Sequence, residues 1–199
     1  MAANPTKTMK NLKFLCCAAV VAAAVSAHAD IIPTLDSITP GSGTFDWNYT
    51  ANVTADEMVV TGDYFTIYDF QGLIVGSNQQ PADWTFSTSL TGVTPSTTNP
   101  QDDPTIPNLT WTYVGTETLV GPQPLGTFTV STTTNLMGTD NFTASATRSN
   151  GPNAGTDVDN IGTVAVPVPE MSSFLPMIGV CGIGVAGMAT RMLRRRRSA

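Results

Sequence analysis

The residues from Asp30 to Val166 predict an all-β fold, an antiparallel β-sandwich of about nine short strands. It is flanked by an N-terminal signal peptide (1–29) and a C-terminal transmembrane helix within a tail spanning 167–199. Three observations predict the fold. Aromatic residues alternate with polar ones, as in Phe45-Asp46-Trp47-Asn48-Tyr49, which is the period of a strand with one apolar face. No window of a dozen residues carries the i, i+3, i+4, i+7 stripe of an amphipathic helix. Threonine supplies 28 of the 140 residues from Asp30 to Pro169, and β-branched side chains suit a pleated, half-buried surface.

In order, the expected strands begin with the aromatic alternation at Phe45–Tyr49, which Val53 extends. Met58–Val60 and Tyr64–Phe70 follow, divided by the turn signal Gly62-Asp63. Leu73–Val75 is a short candidate between two glycines. Trp84 with Phe86 and Leu90, then Leu109 with Trp111 and Tyr113, repeat the alternation. Leu119-Val120, Leu125–Val130, Phe142–Ala146 and Ile161–Val166 complete the set. Two stretches read as long loops: Thr91–Pro107, with four prolines and Asp102-Asp103, and Arg148–Asn160, with Asp157-Val158-Asp159.

Charge is sorted along the chain. Lys7, Lys10 and Lys13 lie before residue 14, and Arg191, Arg194, Arg195, Arg196 and Arg197 lie after residue 190. All fifteen acids fall between Asp30 and Glu170, where Arg148 is the sole cation and the net charge is −14. So acidic a body repels nucleic acid, which is therefore not an expected partner. Cysteine and histidine are sorted too: neither occurs between Asp30 and Glu170. A disulfide framework, a Ser-His-Asp or Cys-His nucleophile and a His- or Cys-liganded metal are thereby excluded from the body.

The first 29 residues read as a secretory signal. Lys10 and Lys13 open it, Phe14–Val25 is the apolar stretch, and Ala27-His28-Ala29 is the small-residue site that places cleavage between Ala29 and Asp30 by signal peptidase. At the other end, Val168-Pro169-Glu170-Met171 precedes a 17-residue uncharged run, Phe174–Thr190, long enough at about 1.5 Å per residue to cross a bilayer core. Arg191, Arg194, Arg195, Arg196 and Arg197 then act as a stop-transfer cluster and stay on the cytoplasmic side.

Signal peptide, Val168-Pro169-Glu170, a glycine-interrupted apolar run and a terminal arginine cluster together resemble the PEP-CTERM sorting tail of bacterial exported proteins. Met171 stands where that family's motif has its second proline. The resemblance covers the tail alone. It implies export, temporary anchoring in the inner membrane and recognition near Pro169-Glu170 by an exosortase-like membrane protease. It further implies a final place at the cell surface or in an extracellular matrix, with extracellular polysaccharide as the partner class. The bland alternative is a plain C-terminal anchor.

For the body, the expected role is structural or adhesive and not enzymatic; the alternative is a carbohydrate- or Ca²⁺-binding module. Trp47, Trp84 and Trp111, with Tyr49, Tyr64, Tyr68 and Tyr113, would make a sugar-stacking platform if exposed, but their alternation on strands favours a core. No organic cofactor is implied. Asp102, Asp103, Asp157 and Asp159 are the Ca²⁺ candidates, because they put carboxylate oxygens on loops, although neither pair has the spacing of an EF-hand. Glu57 and Glu117 offer acids for a glycosidase-type pair, with turn-forming carboxylates as the default reading. The Asn-x-Thr sequons at Asn48, Asn52, Asn108 and Asn141 are what so much threonine produces by chance.

Overall fold

The computed structural model describes residues 30–169; the signal peptide, Glu170, the apolar run and the arginine cluster lie outside the described residues. Ten strands form two antiparallel sheets: β1 (Ile31–Pro40), β2 (Phe45–Val53), β3 (Glu57–Val59), β4 (Tyr64–Ile67), β5 (Trp84–Ser89), β6 (Asn108–Tyr113), β7 (Leu119–Val120), β8 (Gln123–Thr132), β9 (Met137–Arg148) and β10 (Asp157–Pro167). The described residues contain no helix.

The smaller sheet runs β1-β2-β8. Trp47, Tyr49, Ala51 and Val53 all point inward from β2, as the period-two pattern requires. Strand β8 begins in one phase and ends in the other. A register shift opposite Ala51 and Asn52, with Gly126 at φ +115°, is a bulge that carries the inward positions from Leu125 to Phe128 and Val130. The far edge of β8 is covered by the irregular segment 72–79, where the Ile74 amide donates to Ser131 O at 2.9 Å and Gln79 and Thr129 exchange two 2.8 Å bonds. The strand expected at Leu73–Val75 falls in this segment. It forms only isolated bridges, and its glycines at 72 and 76 take positive φ instead of continuing a ladder.

The larger sheet is built on β9, which pairs with β10 along one edge and with β3 and β4 in succession along the other. β6 then pairs with β4, and β5 with β6. β4 ends at Ile67 rather than Phe70, because Asp69 turns the chain at φ +52°. The two sheets meet on a ring of aromatics. Phe128 of the smaller sheet sits edge-on to Phe65 at 5.0 Å, Trp84 at 5.2 Å and Trp111 at 5.7 Å, all from the larger. Phe65 also stacks on Trp111 at 5.0 Å. With no disulfide available, these rings hold the sandwich together.

Two further expectations need correction. β1 is not among the expected strands; Ile31 and Pro33 face inward on it, but prolines at 33 and 40 and a bulge between Leu35 and Ser37 blur its period. Asp157 and Asp159, expected in a loop, lie in β10 opposite Thr147 and Ser145. The proline-rich stretch Thr91–Pro107 is irregular and mostly exposed, as expected, and it packs across the outer face of the larger sheet. There Val93 O accepts from Thr66 Oγ1 at 2.8 Å, and the Tyr68 hydroxyl meets Thr94 Oγ1 at 2.6 Å and Thr143 Oγ1 at 3.0 Å. β6 is thus buried on both faces, and its Thr110 is satisfied by Thr66 at 2.9 Å.

One glycine is tightly constrained. The Gly121 amide donates to Glu57 O at 2.9 Å, and a Cβ there would stand 1.8 Å from the backbone oxygen of Thr54. Because that neighbour is main chain, it cannot swing aside. Gly121→Ala is expected to cost about 1–3 kcal/mol or more by overpacking, read as a lowered urea midpoint, whereas Gly43→Ala, with open space at its Cβ, should lose less despite its φ of +79°.

Candidate functional site

The sandwich is open along one side, where β1 edges one sheet and β10 the other. A cavity of about 560 Å³ lies there, with Ile32, Phe142 and Ile161 as its apolar lining and Thr97, Asp159 and Asn160 as its polar one. It continues past Ile32 into a second depression of about 300 Å³ bordered by Leu35, Met137 and Val164. Ile32, Ile161 and Met137 are 37%, 45% and 62% exposed, so a row of apolar side chains faces solvent along this groove. Asp159 fixes the groove's upper wall: it accepts from Ser145 Oγ at 2.8 Å and from Thr97 Oγ1 at 2.6 Å, tying the proline-rich stretch to β10. Asn160 Oδ1 is buried with no hydrogen-bond partner. The Tyr49 hydroxyl donates to Ala165 O at 2.8 Å and links the two sheets beneath the groove.

At the start of β1 the chain buries three carboxyl groups. Asp30 is fully buried and Glu57 is 1% exposed, while Asp63 is 7% exposed. Burial is the main cause that pushes Asp30 up to about 8, with Glu57, Asp159 and Asp63 adding repulsion and the Ile31 amide, at 2.9 Å from Oδ1, opposing it. Burial likewise raises Glu57, against the pull of Arg148. It raises Asp63 to about 6 even though Asp63 accepts from the Val60 amide at 2.8 Å and from Thr147 Oγ1 at 3.2 Å. In the sequence Glu57 and Asp63 pass for turn acids. The available signal is position: Glu57 directly precedes the apolar Met58-Val59-Val60 and Asp63 directly precedes the β4 run.

The Ca²⁺ candidates are not assembled into a centre. Among the described residues no group of three or more acidic side chains is placed to hold a metal ion. Asp102 Oδ1 accepts from Asn108 Nδ2 at 2.9 Å, and Asp103 Oδ1 accepts from the Thr105 amide at 2.9 Å and hydroxyl at 2.7 Å, which holds its carboxyl below the usual range. Asp69 closes the same loop by accepting from the Asp103 amide at 3.0 Å. Asp157 is exposed at the head of β10, and Asp159 is engaged as above. Of these candidates Asp102, Asp103 and Asp159 already organise backbone, amide or hydroxyl groups.

The three tryptophans are core: Trp47 and Trp111 are fully buried and Trp84 is 3% exposed, so they form no stacking platform. Tyr49 and Tyr68 are fully buried and Tyr113 is 1% exposed, while Tyr64 is half-buried. Glu57 is sealed from solvent and Glu117 is exposed, so these two do not line one cleft. Asn108 is 1% exposed and its Oδ1 accepts from the Asp69 amide at 2.9 Å, which makes it a loop anchor and not a glycan acceptor.

The sorting motif begins where the fold ends: the Val168 amide donates to Leu136 O at 2.9 Å, and Pro169 is exposed. Ala29 and Glu170 lie outside the described residues, as do all five stop-transfer arginines, Arg191, Arg194, Arg195, Arg196 and Arg197. The cleavage and stop-transfer readings therefore rest on sequence alone.

No family model matches the chain, and no curated protein does. Among solved structures it is similar to ACE19, the collagen-binding subdomain of the Enterococcus faecalis surface protein ACE. The identity is 14% and the TM-score 0.33, over 69% of this chain and 96% of that one. A likeness at that level assigns neither ligand nor role.

Proposed function

We propose that this chain is an exported, non-enzymatic protein of the cell surface or extracellular matrix, delivered by its N-terminal signal and released from the inner membrane by an exosortase-like protease. The β body serves as its structural or adhesive module. The observation that carries this reading is the agreement of borders. Lysine and histidine do not occur after residue 29, cysteine is missing from the whole body, and the acidic residues end at the sorting motif. There the Val168 amide is bonded to Leu136 O, and the exposed Pro169 follows. A protease needs an accessible peptide, and Pro169 of the motif is exposed.

The groove between β1 and β10 supports a second reading, a binding module for an extended polymer such as polysaccharide. It is long, open at both ends of Ile32, and mixes apolar side chains with threonine hydroxyls and an unpartnered amide oxygen.

The deciding experiment is intact-mass analysis of the protein from its native host, before and after fractionation. The expected result is a soluble or matrix fraction that starts at Asp30 and ends near Pro169-Glu170. Recovery only as a full-length membrane form would overturn the sorting reading.

A further inference from the structure

Five buried side-chain polar atoms among the described residues lack a hydrogen-bond partner, and three of them are Asp30 Oδ2, Thr54 Oγ1 and Glu57 Oε2. They belong to one corner. The Thr54 amide donates to Asp30 O at 3.3 Å, and the Glu57 amide donates to Thr54 O, also at 3.3 Å. Isolated orphans of this kind are each costly, since a buried acceptor without a donor forfeits its hydration; three together at one place mark a missing donor group. The corner is also short of positive charge. Glu57 stands on β3, Asp63 on the turn before β4 and Asp159 on β10, while Tyr64 faces it from β4 and Arg148 on β9 is the sole cation.

The chain carries a group that fits. Hydrolysis of the Ala29–Asp30 peptide bond by signal peptidase adds one water, leaves a carboxylate on Ala29 and leaves an amine on Asp30. That amine takes up a proton, becoming a cation with three donors at the corner where three acceptors wait. We propose that the new α-ammonium of Asp30 is bound in place by the carboxyl groups of Asp30 and Glu57, which its charge draws into their ionised form, and by the hydroxyl of Thr54, so that removal of the signal peptide completes and locks the exported fold. The proposal rests on the cleavage position given above. It makes the signal peptide more than an address: until it is cut, β1 starts beside unpaired buried acceptors, and afterwards the same residues form a charge-assisted network.

The residues from Asp30 to Ala199 contain no lysine, so in the processed chain the α-amine is the sole target for an amine-reactive succinimidyl ester. The full chain from Asp30, released from a fusion partner and held in detergent, is compared with the same chain carrying Ala29 as its first residue. The expected result is at least a tenfold slower labelling at pH 8 for the Asp30 form when folded. This slowing should vanish in denaturant, in the Ala29 form and in Glu57→Gln. The Asp30 form should also melt about 4 °C or more above the Ala29 form. Equal labelling of the two folded forms overturns the proposal and leaves the cleavage reading standing. N-terminal sequencing of native protein that begins elsewhere than Asp30 overturns the cleavage reading itself, whatever the labelling shows.

Discussion

Trp111→Ala is expected to remove about 3–5 kcal/mol of stability, whereas Trp111→Phe should cost under ~1.5 kcal/mol. Trp111 touches Phe65, Phe86 and Phe128 at 5.0, 5.2 and 5.7 Å between ring centres, so truncation opens the contact between the sheets. A loss of that size is a large part of what a domain of this length has to spare. The phenylalanine variant behaves differently because Trp111 Nε1 is buried with no acceptor. Removing that unsatisfied donor recovers about 1–3 kcal/mol and offsets lost ring area. Trp47 provides the control. It is equally buried, but its Nε1 donates to Thr132 Oγ1 at 3.0 Å and to Thr134 O at 3.2 Å. Trp47→Phe should therefore cost more than Trp111→Phe, by about 1–2 kcal/mol in urea unfolding. Equal costs for the two would mean that the Trp111 indole has a partner after all.

The aromatic alternation makes the core legible from sequence because a strand's period of two is indifferent to what lies across the sandwich. Trp47 and Tyr49 can be placed inward without knowing that Phe70 meets them edge-on at 6.0 and 6.4 Å. Where the period breaks, legibility ends. The bulge at Gly126 shifts the phase of β8, and β1 begins Ile31-Ile32-Pro33, which gives no alternation to read. The loop Thr91–Pro107 is a different case. Prolines and aspartates announce irregular backbone, but nothing local says that Thr66, Tyr68 and Thr143 leave hydroxyls on the outer face for that backbone to cover.

Sites are harder to read for the same reason. The groove between β1 and β10 exists because two strands about 130 residues apart edge neighbouring sheets, and no spacing rule joins Ile32 to Ile161. The buried acids are hidden by composition. Among fifteen carboxylates between Asp30 and Glu170, the three that are buried carry no local mark that sets them apart from the others. The tail is legible for the opposite reason: an uncharged run followed by Arg191 and the unbroken series Arg194, Arg195, Arg196 and Arg197 carries its meaning in linear order, with no folded partner needed.

Stability should fall, not rise, as the pH goes from 4 to 6, and Asp63→Asn should flatten that slope. The folded domain holds the Asp63 carboxyl near 6, against an ordinary value of 3.8, because burial outweighs its bonds from Val60 and Thr147 and Asp157 adds repulsion. Between those two values the folded state keeps a proton that the unfolded state releases. Stability is then fully present below about pH 4 and lost as pH rises through the folded value, by roughly 3 kcal/mol for a shift of about two units. Asp30, pushed up to about 8 by burial, acts in the same direction across the whole window, and Glu57 and Asp69 are raised as well, so Asp63→Asn removes one part of the slope. Asp103 is lowered and opposes them, but it is fully exposed and its influence is screened. The result is the reverse of ordinary acid denaturation, in which paired carboxylates must be protonated for the fold to open. In Asp63→Asn the amide oxygen still accepts from the Val60 amide and no charge can form, so the urea midpoint should vary less between pH 4 and 6 than in the parent chain. A parent whose midpoint rises across that window would show that these buried carboxyls ionise freely in the folded state.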